Sequence, residues 1–304
     1  MTNLTASFNR LHRNSRGALW MLASAATFTL MTMLIKYLGD GYPAALQTFY
    51  RNAAGLVVMF PLIARNPREA FRTHRPGLLI FRATAGIVGM ILAFYAYQKL
   101  PLADANALSF TRTLWLVPLA AFVLKEHVGP RRITATVIGF VGALFMLQPS
   151  ANVGIGWPVI AALLSAFLVA FTVAGMKFLT RDHTTMTLMS WSAALGFVLS
   201  IPPAMFVWRT PAFADLLLLS GMGVLGVITQ ACYIRGMSEG DAAVMAPIDY
   251  TRLIFAVMLG YFLFHELPNR MTLLGAGIII GSTVYITWRE AQLGKPKLTP
   301  QREE

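Results

Sequence analysis

Residues 156–179 read GWPVIAALLSAFLVAFTVAGMKFL, a run in which Lys177 is the only charge. At about 1.5 Å per residue such a run makes a helix long enough to cross a hydrocarbon core roughly 30 Å thick. Runs of the same kind recur at 17–38, 44–64, 77–98, 101–124, 133–148, 185–208, 213–235, 242–264 and 271–288, separated by short polar or Pro/Gly-marked breaks. These ten spans take up most of the 304 residues and leave no connection long enough for a soluble domain. Composition agrees: 56% of the residues are hydrophobic, 12% are charged and the mean hydropathy is +0.60. A soluble globular chain carries about a quarter charged residues, so this one cannot dress its surface for water. The expected fold is an all-α polytopic membrane protein with ten transmembrane helices. A lone Cys232 excludes a disulfide framework and any CxxC metal site.

The net charge of +12 raises nucleic-acid binding as an alternative, and the placement of the charges decides against it. Lys and Arg counted on alternate sides of the ten spans fall seventeen on one side, among them Arg10, Arg13, Arg16, Arg65, Arg68 and Arg131, and four on the other: Lys36, Lys99, Arg209 and Arg270. Cytoplasmic loops are enriched in both residues, so both termini are expected in the cytoplasm of a multi-pass protein of the cell (inner) membrane. The basic collar faces anionic headgroups and no nucleic acid is implied. The polar stretch 1–16 is expected to be a cytoplasmic tail and 291–304 another, and the first apolar run reads as an anchor rather than a cleaved signal.

The run at 156–179 also has a twin. At an offset of 141, Ser24, Ala25, Lys36, Leu38, Ala53, Gly55, Val57 and Pro61 meet identical residues at Ser165, Ala166, Lys177, Leu179, Ala194, Gly196, Val198 and Pro202. An offset of 137 pairs Gly86, Gly89 and Asp104 with Gly223, Gly226 and Asp241, and one of 140 pairs Thr111-Arg112, Val117, Phe122 and Glu126 with Thr251-Arg252, Val257, Phe262 and Glu266. Chance matches between apolar runs do not reproduce Lys, Pro, paired Gly, Thr-Arg and Glu in one order. The chain therefore divides into a first repeat at 17–150 and a second at 151–290. Five spans is an odd number, so the second repeat is expected to enter the membrane inverted, an arrangement common in secondary transporters with a midplane site.

The runs FRATAGIVGMILAFYAYQKLPLADANAL, VLKEHVGPRRITATVIGFVGALFM and LFHELPNRMTLLGAGIIIG resemble the EamA-type branch of the drug/metabolite transporter superfamily. The likeness covers nearly the whole chain and places a helix-closing Glu in each half, Glu126 and Glu266. It implies ten helices in two EamA units, a cavity lined mainly by helices one, three, four, six, eight and nine, and export of small metabolites such as amino acids. Within the family the chain is similar to aromatic amino-acid exporters of the YddG type.

An ionisable side chain near the bilayer centre costs at least about 2.5 kcal/mol and is normally paired or lines a wet cavity. Arg112 and Arg252 lie about 15 Å into their spans and Arg51 about 10 Å from the end of its own. Asp249 precedes Arg252 by three residues, on the same helical face, and its first-half counterpart is Ser109. These arginines either bind a substrate carboxylate or phosphate, with a coupling proton on Asp249, or are structural, Arg112, Arg252 and Asp249 forming a network between helices four and nine while Arg51 snorkels outward or hydrogen-bonds to backbone carbonyls. Asn106 and Gln230 are candidates for orienting a substrate. Tyr95, Tyr97, Trp115, Trp191 and Tyr250 are candidates for stacking on a planar one, whereas Trp20, Trp157, Trp208 and Trp288 read as interfacial belt. Gly86, Gly89, Gly223 and Gly226 suit close helix packing, Pro118 and Pro247 suit bends in helices four and nine, and Glu126 and Glu266 suit a structural role such as holding the next helix.

Neither a metal site nor a cofactor is implied: the five histidines form no cluster, and His265-Glu266 fails as HExxH because position 269 is Asn. No GxxxxGK[ST] loop is present. The expected protein is not an enzyme but a secondary transporter, a monomer or weak homodimer, working by alternating access around a cavity between helices three, four, eight and nine. A passive facilitator or channel, and an intramembrane lipid-modifying enzyme, are the alternatives.

Overall fold

The computed structural model describes residues 13–39, 41–122, 129–147, 156–179, 183–239, 245 and 248–293. Glu126 and Pro247, and the tail residues 1–12 and 294–304, lie outside the described residues. The described residues form helices α1 (Arg13–Tyr37), α2 (Ala44–Arg65), α3 (Pro67–Ala70), α4 (Pro76–Lys99), α5 (Leu102–Ser109), α6 (Thr111–Phe122), α7 (Pro130–Leu147), α8 (Trp157–Leu179), α9 (Thr185–Phe206), α10 (Phe213–Glu239), α11 (Thr251–Phe264) and α12 (Arg270–Leu293). Prolines set several starts, since a ring with no N–H and a fixed φ costs nothing at the head of a helix. Pro67, Pro76 and Pro130 open α3, α4 and α7, and Pro43 and Pro101 immediately precede α2 and α5.

Five helices among the described residues are long and apolar enough to cross a membrane: Ser15–Tyr37, Pro76–Lys99, Trp157–Gly175, Met186–Phe206 and Phe213–Glu239. The other expected spans depart from that standard for visible reasons. The second carries Gln47, Arg51 and Asn52, and the fourth is divided between α5 and α6. The apolar parts of α7, α11 and α12 are shorter, at Ile133–Phe145, Thr251–Phe264 and Arg270–Ile286. Large side chains such as Val57, Phe60, Phe122, Phe206, Phe213 and Leu267 stand exposed around the bundle. Contiguous apolar surface on this scale is intolerable in water and favourable in lipid, and with the apolar helices it marks a multi-pass membrane protein.

The interruption in the fourth span falls at Phe110, and the same interruption recurs at Tyr250. In the first, Thr113 N–H bonds Phe110 O at 3.1 Å and the Thr111 hydroxyl bonds Leu108 O at 2.7 Å. In the second, Leu253 N–H bonds Tyr250 O at 3.0 Å and the Thr251 hydroxyl bonds Ile248 O at 2.7 Å. Hydroxyls that back-bond a carbonyl compete with the helical ladder and tighten or bend it. Helix α6 continues through Pro118, so the described break lies eight residues before the proline that the sequence singled out. The Phe110 and Tyr250 rings meet edge to face, 4.6 Å between centroids, so the two breaks touch.

Packing alternates between the halves. Helix α10 lies along α1, α8 along α4, α9 against α2 and α12 against α7. Small residues make this possible. A Cβ on Gly89 would stand 3.0 Å from Leu168 Cβ across the α4–α8 contact, and one on Gly223 would stand 3.1 Å from the Arg51 carbonyl across α10–α2. Glu266 sits just past α11, after His265 in a left-handed conformation (φ 54°). Its carboxylate bonds Lys36 at the end of α1 and the Leu102 N–H at the start of α5, the latter at 3.0 Å. Lys36 also donates to Leu100 O at 2.7 Å. Glu266 thus ties together the ends of helices from the other repeat rather than holding the next helix.

Candidate functional site

A cavity of about 390 Å³ opens inside the bundle, within the size range of small-molecule sites. It is lined from the first repeat by α1, α2, α4, α5 and α6 and from the second by α8 and α9. Of helices one, three, four, six, eight and nine, which the resemblance implied, the first four line it; helices two and seven join them, and eight and nine, expected with three and four to form its centre, are not among the described lining. Helix seven packs against helix two at this wall, and the part of helix nine around Arg252 is filled by side chains. The wall is mostly apolar, with hydroxyls from Ser109, Ser165, Thr172 and Ser192 and three guanidinium groups: Arg51, Arg82 and Arg112. No Asp or Glu is among the described residues that line it.

The three arginines are held with unequal firmness. Arg51 reaches the cavity from α2; its Nη1 lies 3.4 Å from Met90 Sδ, a weak acceptor, and its buried Nε has no hydrogen-bond partner among the described residues. Gly226 leaves room beside it, since a Cβ there would stand 3.3 Å from Arg51 Nε. Arg82, on the second turn of α4, donates from Nη2 to Ser192 Oγ of α9 at 2.5 Å and also has a buried, unpartnered Nε. Arg112 follows the break at Phe110 and reaches Asp249 Oδ2 only at 3.5 Å, while its side chain remains 34% exposed. The same carboxylate oxygen is held by Arg252 Nη2 at 2.6 Å. Asp249 therefore neutralises Arg252 and touches Arg112 only loosely.

Arg252 does not line the cavity. Its guanidinium is buried between the rings of Phe28 and Phe110, at 4.8 and 4.5 Å. Of the other residues predicted from sequence, Tyr97 lines the cavity. Asn106 is fully buried, donates to Leu102 O of its own helix at 2.8 Å and keeps an unpartnered Oδ1. Tyr250 packs on Phe110, Trp115 on Phe140 and Phe167, and Trp191 on Phe71. Tyr95 is half-buried and Gln230 exposed, and neither lines the cavity. Gly86 faces Thr172 on the wall. Arg82 was missed because it sits near the basic collar. The signal was its four-residue spacing to Gly86, Met90 and Phe94, which puts all four on one helical face.

The fold and the site define a membrane transporter of small molecules. The chain belongs to the EamA-like transporter family, whose model matches residues 15–148 and 156–288. The S-adenosylmethionine uptake transporter of Rickettsia prowazekii (strain Madrid E) is 30% identical over 90% of this chain and 93% of its own length. The riboflavin transporter of Rhizobium johnstonii is 29% identical over 90% of this chain and 91% of its own. The pseudopaline exporter of Pseudomonas aeruginosa (strain UCBPP-PA14) is 24% identical over 89% and 95%. A solved crystal structure matches with a TM-score of 0.61 over 93% of this chain and 99% of its own at 16% identity, a likeness of fold alone. The family and these relatives are transporters, not enzymes.

Proposed function

We propose that this protein is a secondary active transporter that moves a small anionic metabolite across the cell (inner) membrane by alternating access, with both termini cytoplasmic and its two five-helix repeats inverted. The observation that carries this reading is the arginine-lined cavity walled by helices of both repeats, with no acid among its described lining residues. Uncompensated guanidinium groups in lipid surroundings are expensive unless they meet an anion, and a bidentate carboxylate or phosphate is the partner their geometry suits. Matching breaks at Phe110 and Tyr250, in contact beside the cavity, supply the paired hinges that rocking of two inverted halves requires.

The amine half of the expected amino-acid cargo has no such support, because no described lining residue offers a carboxylate to an ammonium group. The carboxylate half is kept. The relatives include uptake systems and an exporter, and a reversible carrier runs down whichever gradient is imposed, so export expresses the gradient rather than the site. Asp249 is the acid on which a coupling proton would ride, since it borders Arg112. Both walls of the cavity come from repeats of one chain, which supports a monomer or a weak homodimer of independent units.

Purified protein in liposomes, loaded with unlabelled carboxylates or phosphorylated metabolites and challenged with labelled ones, tests this. Saturable exchange supports a carrier, and flux without saturation or counterflow would make it a passive facilitator.

A further inference from the structure

Three hydroxyls of the cavity wall are already committed. Ser109, Thr172 and Ser192 each donate to a carbonyl of their own chain segment, at 2.7, 2.8 and 2.6 Å, so towards a cargo they are acceptors. Ser192 shows the consequence: with its proton on Leu188 O, its oxygen takes Arg82 Nη2 at 2.5 Å and fixes that guanidinium against α9. Two uncharged donors of the lining, the Asn52 amide nitrogen and the Tyr97 hydroxyl, are buried without a hydrogen-bond partner among the described residues. A buried donor left unmade costs about 1–3 kcal/mol, and native proteins keep few of them. Tyr97 lies fifteen residues along α4 from Arg82, on the order of 22 Å along the helix axis. Asn52 is tied to Arg82 more closely, through α9. A Cβ on Gly196 would stand 3.3 Å from Asn52 Oδ1, and Gly196 follows Ser192 by four residues. Arg82 from α4 and Asn52 from α2 therefore meet α9 at places one helical turn apart, roughly 6 Å between Cβ positions. Arg82 Nε and Asn52 Nδ2 are the two buried donors left unmade there.

Resting on the transporter reading above, we propose that Asn52 is a specificity-determining residue of the cargo site, and that the cargo is an acid with an uncharged carbonyl oxygen on the order of 6 Å from its acidic group, as in a keto acid or an acylated amino acid. The acidic group is seated on Arg82, in the field that Arg51 and Arg112 add, and the carbonyl oxygen accepts from Asn52 Nδ2. An amide nitrogen donates and carries no charge, so the oxygen it suits is a neutral acceptor. An acid without that oxygen leaves the Asn52 donor unmade.

The test uses the full-length protein in detergent and measures binding by thermal stabilisation with 5-oxohexanoate and with hexanoate, two monoanions of equal chain length of which only the first has the carbonyl oxygen. 5-Oxohexanoate is expected to bind about three- to tenfold more tightly, the effect of one hydrogen bond to a buried donor. In Asn52→Leu the ratio of the two affinities is expected to fall to one or less. Gly196→Ala keeps Asn52 but crowds its amide from α9, with the added Cβ 3.3 Å from Oδ1, and is expected to lower the ratio as well. In Arg82→Met both acids are expected to weaken by at least about tenfold, the loss of a charge-assisted pair. Equal affinity for the two acids in the unsubstituted protein, no binding of either, or an advantage that survives in Asn52→Leu, or in Gly196→Ala should Asn52→Leu not fold, would overturn the proposal. Saturable exchange of other anions in liposomes would then leave the transporter reading standing. Discrimination between the two acids in binding, with no exchange of either in liposomes, would keep this assignment and refute the transporter reading instead.

Discussion

Asp249→Asn removes the only carboxylate among the described residues that touches Arg252, a residue 3% exposed whose guanidinium is otherwise walled by two aromatic rings. Breaking a buried pair by deleting one partner costs about 3–5 kcal/mol, because the remaining charge cannot be rehydrated. For a chain of this size the loss corresponds to a fall in Tm on the order of 10 °C. Arg252→Met alone costs less, since Asp249 keeps Arg112 at 3.5 Å as a partner. The double variant Asp249→Asn/Arg252→Met removes both charges of the buried pair together and should regain about 2–3 kcal/mol relative to the sum of the singles. Thermal unfolding in detergent, followed by tryptophan fluorescence, reads all four corners of the cycle. A double variant whose loss equals the sum of the singles would refute the claim that Asp249 exists chiefly to neutralise Arg252.

Freed from Asp249, Arg112 has one fewer competitor for its guanidinium, so Asp249→Asn is also expected to lower the KM for an anionic cargo several-fold while slowing turnover. Initial exchange rates over a range of cargo concentrations check this. Glu266→Ala strips the Leu102 N–H and Lys36 of their shared acceptor and should destabilise by about 1–3 kcal/mol, read as a shift of the thermal midpoint. Gly89→Val drives a side chain into Leu168 and towards the Ser165 carbonyl, 3.0 and 3.7 Å from the added Cβ. Overpacking of this kind costs about 1–3 kcal/mol and separates α4 from α8. Gly77→Val, at a site with open space around it, is its control and should leave the midpoint unchanged.

A charged residue inside an apolar run is conspicuous, which is why Arg51 and Arg112 stood out from the letters alone, and the Thr-Arg pair repeated at one offset marked both helix breaks without revealing them as breaks. The breaks themselves were not legible. At each break a threonine hydroxyl, that of Thr111 or Thr251, turns back onto a carbonyl, whereas the sequence offered Pro118 as the obvious cause of a bend. The partition of the arginines was equally hidden. Arg112 and Arg252 occupy equivalent places in the repeat, yet Asp249 has only Ser109 as its counterpart, and this one substitution makes Arg252 a buried, neutralised strut and leaves Arg112 facing the cavity. Which helices wall the cavity depends on how α4 meets α8 and α10 meets α1, long-range packing that no spacing within a single span encodes. Glu266 shows the same limit: its position at a helix end was plain, but its partners Lys36 and Leu102 belong to the other repeat.

The central claim is that free guanidinium groups in the cavity bind a transported anion. Labelled-anion counterflow in liposomes, with Arg51→Met and Arg112→Met beside the unsubstituted protein and all three matched in thermal midpoint, tests it most directly. The unsubstituted protein should show saturable, trans-stimulated exchange, and each substitution should lower kcat/KM by roughly tenfold or more. Exchange that persists within about twofold in both variants would contradict the claim.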